Sequence, residues 1–167
     1  MLHLSRRYFS FIEIPRTVYN EVVEEGLKRG YPDAQVVKRG VDEGWAQVKE
    51  VDEKDLRGVC RAEAKIGVEL GKGEREAVAL ARAHAVEFLL TNDEGASIVS
   101  RALGLKARGV LCVLLRAVKE KALGRREALE TLNEMIGDGF WISPAVLQEF
   151  HRTLEKTRAK WGLVLYL

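Results

Sequence analysis

Cysteine is nearly absent. Cys60 and Cys112 are the two in 167 residues, and neither has a CxxC or Cys/His spacing around it. That excludes a disulfide framework and a cysteine zinc site, and two isolated thiols in apolar surroundings are expected to be buried and reduced, in an intracellular compartment. Histidine is as sparse. His3, His84 and His151 lack ligand spacing, so each is expected to be a solvated or core imidazole rather than part of a metal centre. No apolar run approaches the roughly 18 residues of a membrane span, and no charged start precedes a long apolar core, so the chain is expected to be soluble and cytoplasmic, with no membrane partner. Charge of one sign is also lacking. Against 25 acidic residues stand 27 basic ones, a net charge of +2, which excludes a nonspecific nucleic-acid coat and confines any nucleic-acid contact to a local patch. No internal repeat or low-complexity segment is present.

The length suits one α/β domain, since a chain of this size buries roughly 70% of its unfolded surface. The most informative stretch is 71–110, GKGEREAVALARAHAVEFLLTNDEGASIVSRALGLKARGV. Glu74, Ala77, Val78 and Ala81 stand at helical spacing after glycines 71 and 73. Val86 to Thr91 is too short for a helix and reads as a buried parallel strand. Asn92 and Asp93 fall at its carboxyl end, a second helix runs from about Glu94 to Leu103 with Gly104 as its left-handed cap, and Leu105 to Val110 extends again. In open α/β sheets, ligands gather outside the carboxyl ends of strands, where Asp93 and Glu94 would stand.

Around this stretch the pattern is also α/β. Residues 2–9 read as the end of a helix and Phe11–Ile14 as a strand. Pro15 would open a helix that ends near Gly26 and buries Val18 and Val22. A short helix to about Arg39 and a strand from Trp45 to Val51 follow, then a helix from Asp52 or Glu53 with Leu56, Val59, Cys60 and Ala64 as its apolar positions. After Val110 the sequence predicts helices over 111–123 (Leu114, Leu115, Ala117 and Val118 inward) and 126–136 (Leu129, Leu132 and Ile136). A strand is expected at 140–142, then a helix capped by Ser143 with Pro144 at its first position and Leu147, Phe150 and Leu154 on one face.

The runs LGKGEREAVALA, LLTNDEGA and LGLKARG resemble the PIN-domain superfamily of metal-dependent nucleases, and more narrowly a mostly archaeal branch related to the ribonucleases of toxin–antitoxin pairs. The likeness covers about Leu4 to Glu149, strongly at 70–105. It implies a three-layer α/β/α sandwich with a mostly parallel central sheet, one PIN-like domain over 1–167, a homodimer, RNA as substrate, Mg²⁺ or Mn²⁺ as cofactor and a small antitoxin-like partner. The run IPRTVYNEVV matches the family's isoleucine–proline pair and helix glutamate. The resemblance thus implies Asp93, Glu74 and Glu21 as catalytic metal ligands, with Glu94 an outer-shell acid. Carboxylates that converge resist ionising together, and a divalent cation relieves that cost while lowering the pKa of an attacking water. Read without the resemblance, Asp93 is also a helix cap, Glu74 a helix-start acid and Glu21 a solvated surface group. Lys72, Arg75, Arg101, Lys106 and Arg108 form a basic rim that would hold RNA, or simply a solvated face.

Relatives carry, ahead of the segment matching LHLSRRYF, a central strand ending in an aspartate. The expectation is that this strand and its ligand are missing here, either because the true start lies upstream or because the member is truncated, and that the apolar run 161–167, WGLVLYL, fills the vacant position, within the chain or exchanged between two chains, or else makes an edge strand or dimer contact. Two further functional readings stay open. One is a catalytically degenerate PIN-like module that binds RNA or dimerises. The other takes ASIVSRALGLKARGVLCVLLRAV as a helix-turn-helix that binds DNA.

Overall fold

The computed structural model describes residues 11–159, and the chain divides after Val110 into two units, each with its own core. The segment 2–9 and the run 161–167, expected to be a helix end and a strand, lie outside the described residues.

In the first unit, β1 (Ile12–Pro15) pairs in parallel with β2 (Ala46–Lys49), Ile12 opposite Ala46 and Pro15 opposite Lys49. Between them run α1 (Arg16–Tyr19), a π-helical turn (Asn20–Glu25), α2 (Gly26–Lys28) and α3 (Pro32–Asp42). Pro15 closes the strand and caps α1 instead of opening it, so its missing N–H falls where no helical bond is needed. The π-helical turn inserts an extra residue per turn and moves the buried stripe by one position. Val23 is therefore buried, where helical spacing from Val18 had pointed to Val22, which is 40% exposed.

After β2 come α4 (Glu53–Ile66), α5 (Lys72–Ala83), β3 (Leu89–Leu90), α6 (Glu94–Ala102) and β4 (Ala107–Arg108). Helix α4 ends at Gly67 in the left-handed conformation at φ 76°, as a glycine cap requires. Helices α4, α5 and α6 bury Val59, Val78, Ala79, Ala96 and Val99 together with Leu70. The stripe of α4 includes Glu63 and leaves Cys60 and Ala64 exposed, which corrects both the expected stripe and the expected burial of that thiol. Cys112 is half-buried.

Strand β3 pairs in parallel with β4, Leu89 opposite Ala107. It is shorter than the apolar run 86–91 because the run's start finishes the preceding helix. Ala85 turns into the left-handed region at φ 48°, and the Val86 N–H donates to the Ala81 carbonyl. Among the described residues the two strand pairs are separate two-stranded parallel sheets rather than one central sheet. The architecture is mixed α/β, mostly helical. The connection 103–110 between α6 and the next helix contains β4, so the stretch read as a helix-turn-helix lacks the short turn that motif needs.

The second unit is helical: α7 (Leu111–Lys119), α8 (Arg125–Gly137) and α9 (Pro144–Ala159). Leu114, Ala117, Leu132, Phe150 and Leu154 are its buried centre. Ser143 Oγ accepts from the Val146 N–H at 3.4 Å, at the expected cap. The strand expected at 140–142 does not form. The Phe140 N–H is spent on the Met135 carbonyl at the end of α8, and Trp141 is 81% exposed. Ile136 is exposed as well, on the last turn of α8. Among the described residues, no helix is long and apolar enough to cross a membrane.

Ala85 holds a backbone conformation that a side chain disfavours. Ala85→Gly is expected to raise stability by about 0.5–1 kcal/mol, read as a higher urea midpoint at unchanged slope. An unchanged or lower midpoint would show that the left-handed turn is not a source of strain.

Candidate metal and phosphate site

Everything around the first turn of α5 is fixed by one ion pair. Glu63 is 7% exposed, and its carboxylate takes two bonds from Arg75, Nε to Oε2 at 2.7 Å and Nη2 to Oε1 at 2.9 Å. Oε1 also accepts the Leu70 N–H at 2.8 Å, while Arg75 Nη2 donates to the Leu70 carbonyl at 2.9 Å. A guanidinium fork on a carboxylate sets direction as well as distance. The pair therefore ties α4 to α5 and holds Leu70, the residue before the helix start. The Arg75 hydrogen bonds keep the Glu63 carboxyl below its ordinary pKa against the opposing effect of burial, with the Leu70 N–H adding to the lowering. Arg75 is shifted upward by the same contact.

Helix α5 then presents its two acids differently, with a third, Glu21, lying against it. Glu74 Oε2 accepts the Gly71 N–H at 2.8 Å, the helix-start role that sequence reading had left open for it. Gly73 is a point of close approach, because a Cβ there would stand 3.0 Å from Val18 Cγ2 and 3.4 Å from Glu21 Oε2. The absent side chain lets Glu21, an exposed residue of the π-helical turn, lie directly against the first turn of α5. Glu76, one turn further along the same face, is 13% exposed; its Oε1 accepts from the Thr17 hydroxyl at 2.8 Å and lies 4.0 Å from Lys72 Nζ. Sequence reading passed over Glu76. Its signal was present: it directly precedes Ala77, so it sits on the flank of the buried stripe.

Asp93 caps α6, with Oδ1 accepting the Ala96 N–H at 2.6 Å, while its own N–H donates to Thr91 Oγ1 at 3.1 Å. A Cβ on Gly95 would meet Asp93 Oδ1 and Leu70 Cδ2, each at 3.2 Å. The first turn of α6 is thus packed against Leu70, the residue that leads into α5. Glu94 is exposed. Asn92 Oδ1 accepts the Val110 N–H at 3.0 Å, which holds the ends of β3 and β4 together.

Of the expected basic rim, Lys72, Arg101, Lys106 and Arg108 are exposed, with Arg108 Nη1 donating to the Ala107 carbonyl. Arg75 is engaged with Glu63 and is unavailable to a phosphate. His84 Nδ1 is 2.6 Å from Glu13 Oε2, well away from any second histidine in sequence.

Glu74 and Glu76 lie at the start of α5 with Glu21 against Gly73, where the helix dipole favours negative charge, while Asp93 caps α6. Among the described residues, no three His, Cys, Asp or Glu side chains form a group that could enclose a metal ion. Carboxylate oxygens are the donors that hard divalent cations such as Mg²⁺ take.

Because Glu63 is depressed, its contribution to stability is complete above the carboxylate's unfolded pKa of about 4.3 and is lost as pH falls through the folded value. Glu63→Gln is expected to cost about 3 kcal/mol at pH 7 and to flatten the acid limb of a stability–pH curve. Parallel acid limbs for the two proteins would rule the pair out as the anchor.

Among comparisons with known proteins, the family model described as DUF3368: PIN domain matches residues 1–156. No curated protein and no solved structure matches.

Proposed function

This chain belongs to the PIN-domain family, whose members are generally metal-dependent nucleases, and from that premise we propose that it is a ribonuclease of the toxin type, hydrolysing RNA phosphodiester bonds beside the N-terminus of α5. The observation that carries this reading is the approach at Gly73, which brings Glu21 against the turn from which Glu76 also projects. The Thr17 hydroxyl orients Glu76, and the cap at Ala96 orients Asp93, so each carboxylate has one fixed oxygen contact. Glu21, Glu76 and Asp93 would hold Mg²⁺ or Mn²⁺, with Glu94 in an outer position and Glu74 kept mainly for the helix start. When bound, the cation supplies Lewis-acid stabilisation of the phosphate and a more acidic water. The exposed Lys72, Arg101, Lys106 and Arg108 suit the RNA backbone, where they would position the strand without reading its bases. The family's three-layer α/β/α arrangement would make the two parallel strand pairs parts of one mostly parallel sheet. A small antitoxin-like protein belongs to the same reading.

A second reading has an observation of its own. Since the described acids do not close into a three-ligand group, the chain would serve as a non-cutting RNA-binding module.

Cleavage of single-stranded and structured RNA by the full chain, with Mn²⁺ or Mg²⁺ and an EDTA control, separates the two. The nuclease reading expects metal-dependent cutting that falls about 100-fold or more in Asp93→Ala and in Glu76→Gln, and less than about tenfold in Glu74→Gln. RNA binding by folded protein with no cutting under any metal would favour the second reading.

A further inference from the structure

Several exposed helix cations of this chain stand one turn from an acid. Lys38 pairs with Asp42, Arg116 with Glu120 and Arg126 with Glu130, so those faces balance their own charge. Helix α4 departs from that habit. Arg57, Arg61 and Lys65 follow one another at i, i+4 and i+8, all exposed, with the exposed Lys54 one turn before them. The acids near this row stand at the helix start, where Asp52 is 3.3 Å from Lys54 and Glu53 is 3.9 Å from Arg57. Among the described residues, Arg61 and Lys65 form no ion pair.

A fifth cation reaches the row from α5. A Cβ on Gly58 would collide with Arg82 Nη1, so the glycine keeps a place on α4 for that guanidinium, beside Arg57 and Arg61. Arg82 is exposed and, among the described residues, also forms no ion pair. Glu63 is tied to Arg75 in the first turn of α5 and Gly58 meets Arg82 in its last, so the two helices run antiparallel. Lys65 therefore stands at the end of the hairpin where the acids of α5 lie, and the row leads from there to Lys54, roughly 16 Å along the helix.

Like charges at helical spacing repel one another, and a polyanion converts that cost into binding. Four residues of helix advance about 6 Å, a step comparable with that between successive phosphates of a nucleic-acid strand. None of the exposed large apolar side chains lies on α4, so this face lacks the anchors of a protein interface or a membrane surface. Helix α4 has no aromatic ring to stack on a base either. We propose that the outer face of α4, completed by Arg82, is a phosphate track that holds single-stranded RNA leading away from the candidate site, without reading its sequence. The guanidiniums of Arg57, Arg61 and Arg82 take phosphate oxygens in pairs, and Lys65 acts as a point charge. The proposal rests on RNA being the ligand and holds whether or not the chain cuts it.

The test is fluorescence anisotropy of the full chain in EDTA, with labelled oligoribonucleotides of roughly 4 and 12 nucleotides, the longer able to follow the row. The longer RNA is expected to bind the wild type at least about tenfold tighter. The triple variant Arg57→Gln/Arg61→Gln/Lys65→Gln, exposed positions where glutamine preserves the helix, is expected to lose that advantage and to keep its affinity for the shorter RNA. Its slope of log K against log salt should fall by about two, since each phosphate contact on a single strand contributes about 0.7. Gly58→Ala keeps every charge but displaces the Arg82 head, and is expected to weaken the longer RNA as much as Arg82→Gln does, with no further loss when the two are combined. A retained length advantage in the triple variant would overturn the track. So would an equal loss in Lys28→Gln/Lys38→Gln/Arg126→Gln, which removes the same charge elsewhere. Equal binding of both RNAs by the wild type would also overturn the track while leaving RNA as the ligand, whereas binding of neither would remove the RNA reading as well.

Discussion

The bidentate pair between Glu63 and Arg75 is the constraint on which the candidate site depends. A carboxylate buried on α4 is tolerable only with a partner, and the partner comes from α5 through a planar fork that admits one orientation. Because the same two side chains also hold the Leu70 N–H and carbonyl, the turn 67–71 is fixed in place and with it the first turn of α5. From that turn Glu74 caps, Gly73 admits Glu21, and Glu76 reaches Thr17. On the other side, Leu70 meets Gly95 and so sets where Asp93 stands. Elements that are distant in sequence thus converge on one helix start without any of them being long.

That convergence places Glu74 and Glu76 at the start of α5 with Glu21 against Gly73. The α5 N-terminus offers unpaired N–H groups and a favourable dipole, which eases the repulsion between carboxylates before any cation is present.

Helix ends were legible because their signals are local. Gly104 and the Ser143–Pro144 pair mark real boundaries, and Asp93 was recognised both as a strand-end acid and as a cap. Strand lengths were less legible, since Val86 and Phe140 lie in apolar runs but give their N–H groups to the preceding helices. The π-helical turn left no signature, so the stripe shifted from Val22 to Val23 unannounced. Charged core positions were hidden for a different reason. Glu63 looks like a surface acid until Arg75 is known to face it, and Glu76 finds Thr17 at a separation of 59 residues. Local periodicity carries no record of such partners.

On the proposed reading, Glu21 and Glu76 hold one divalent cation beside the first turn of α5, while Glu74 serves the helix start. Titration of the folded chain with Mn²⁺, followed by electron paramagnetic resonance, tests it without reference to catalysis. The account predicts one site that weakens at least about tenfold in Glu21→Gln and in Glu76→Gln and persists in Glu74→Gln. Binding unchanged by either of the first two substitutions, or no binding by the wild type, would contradict it.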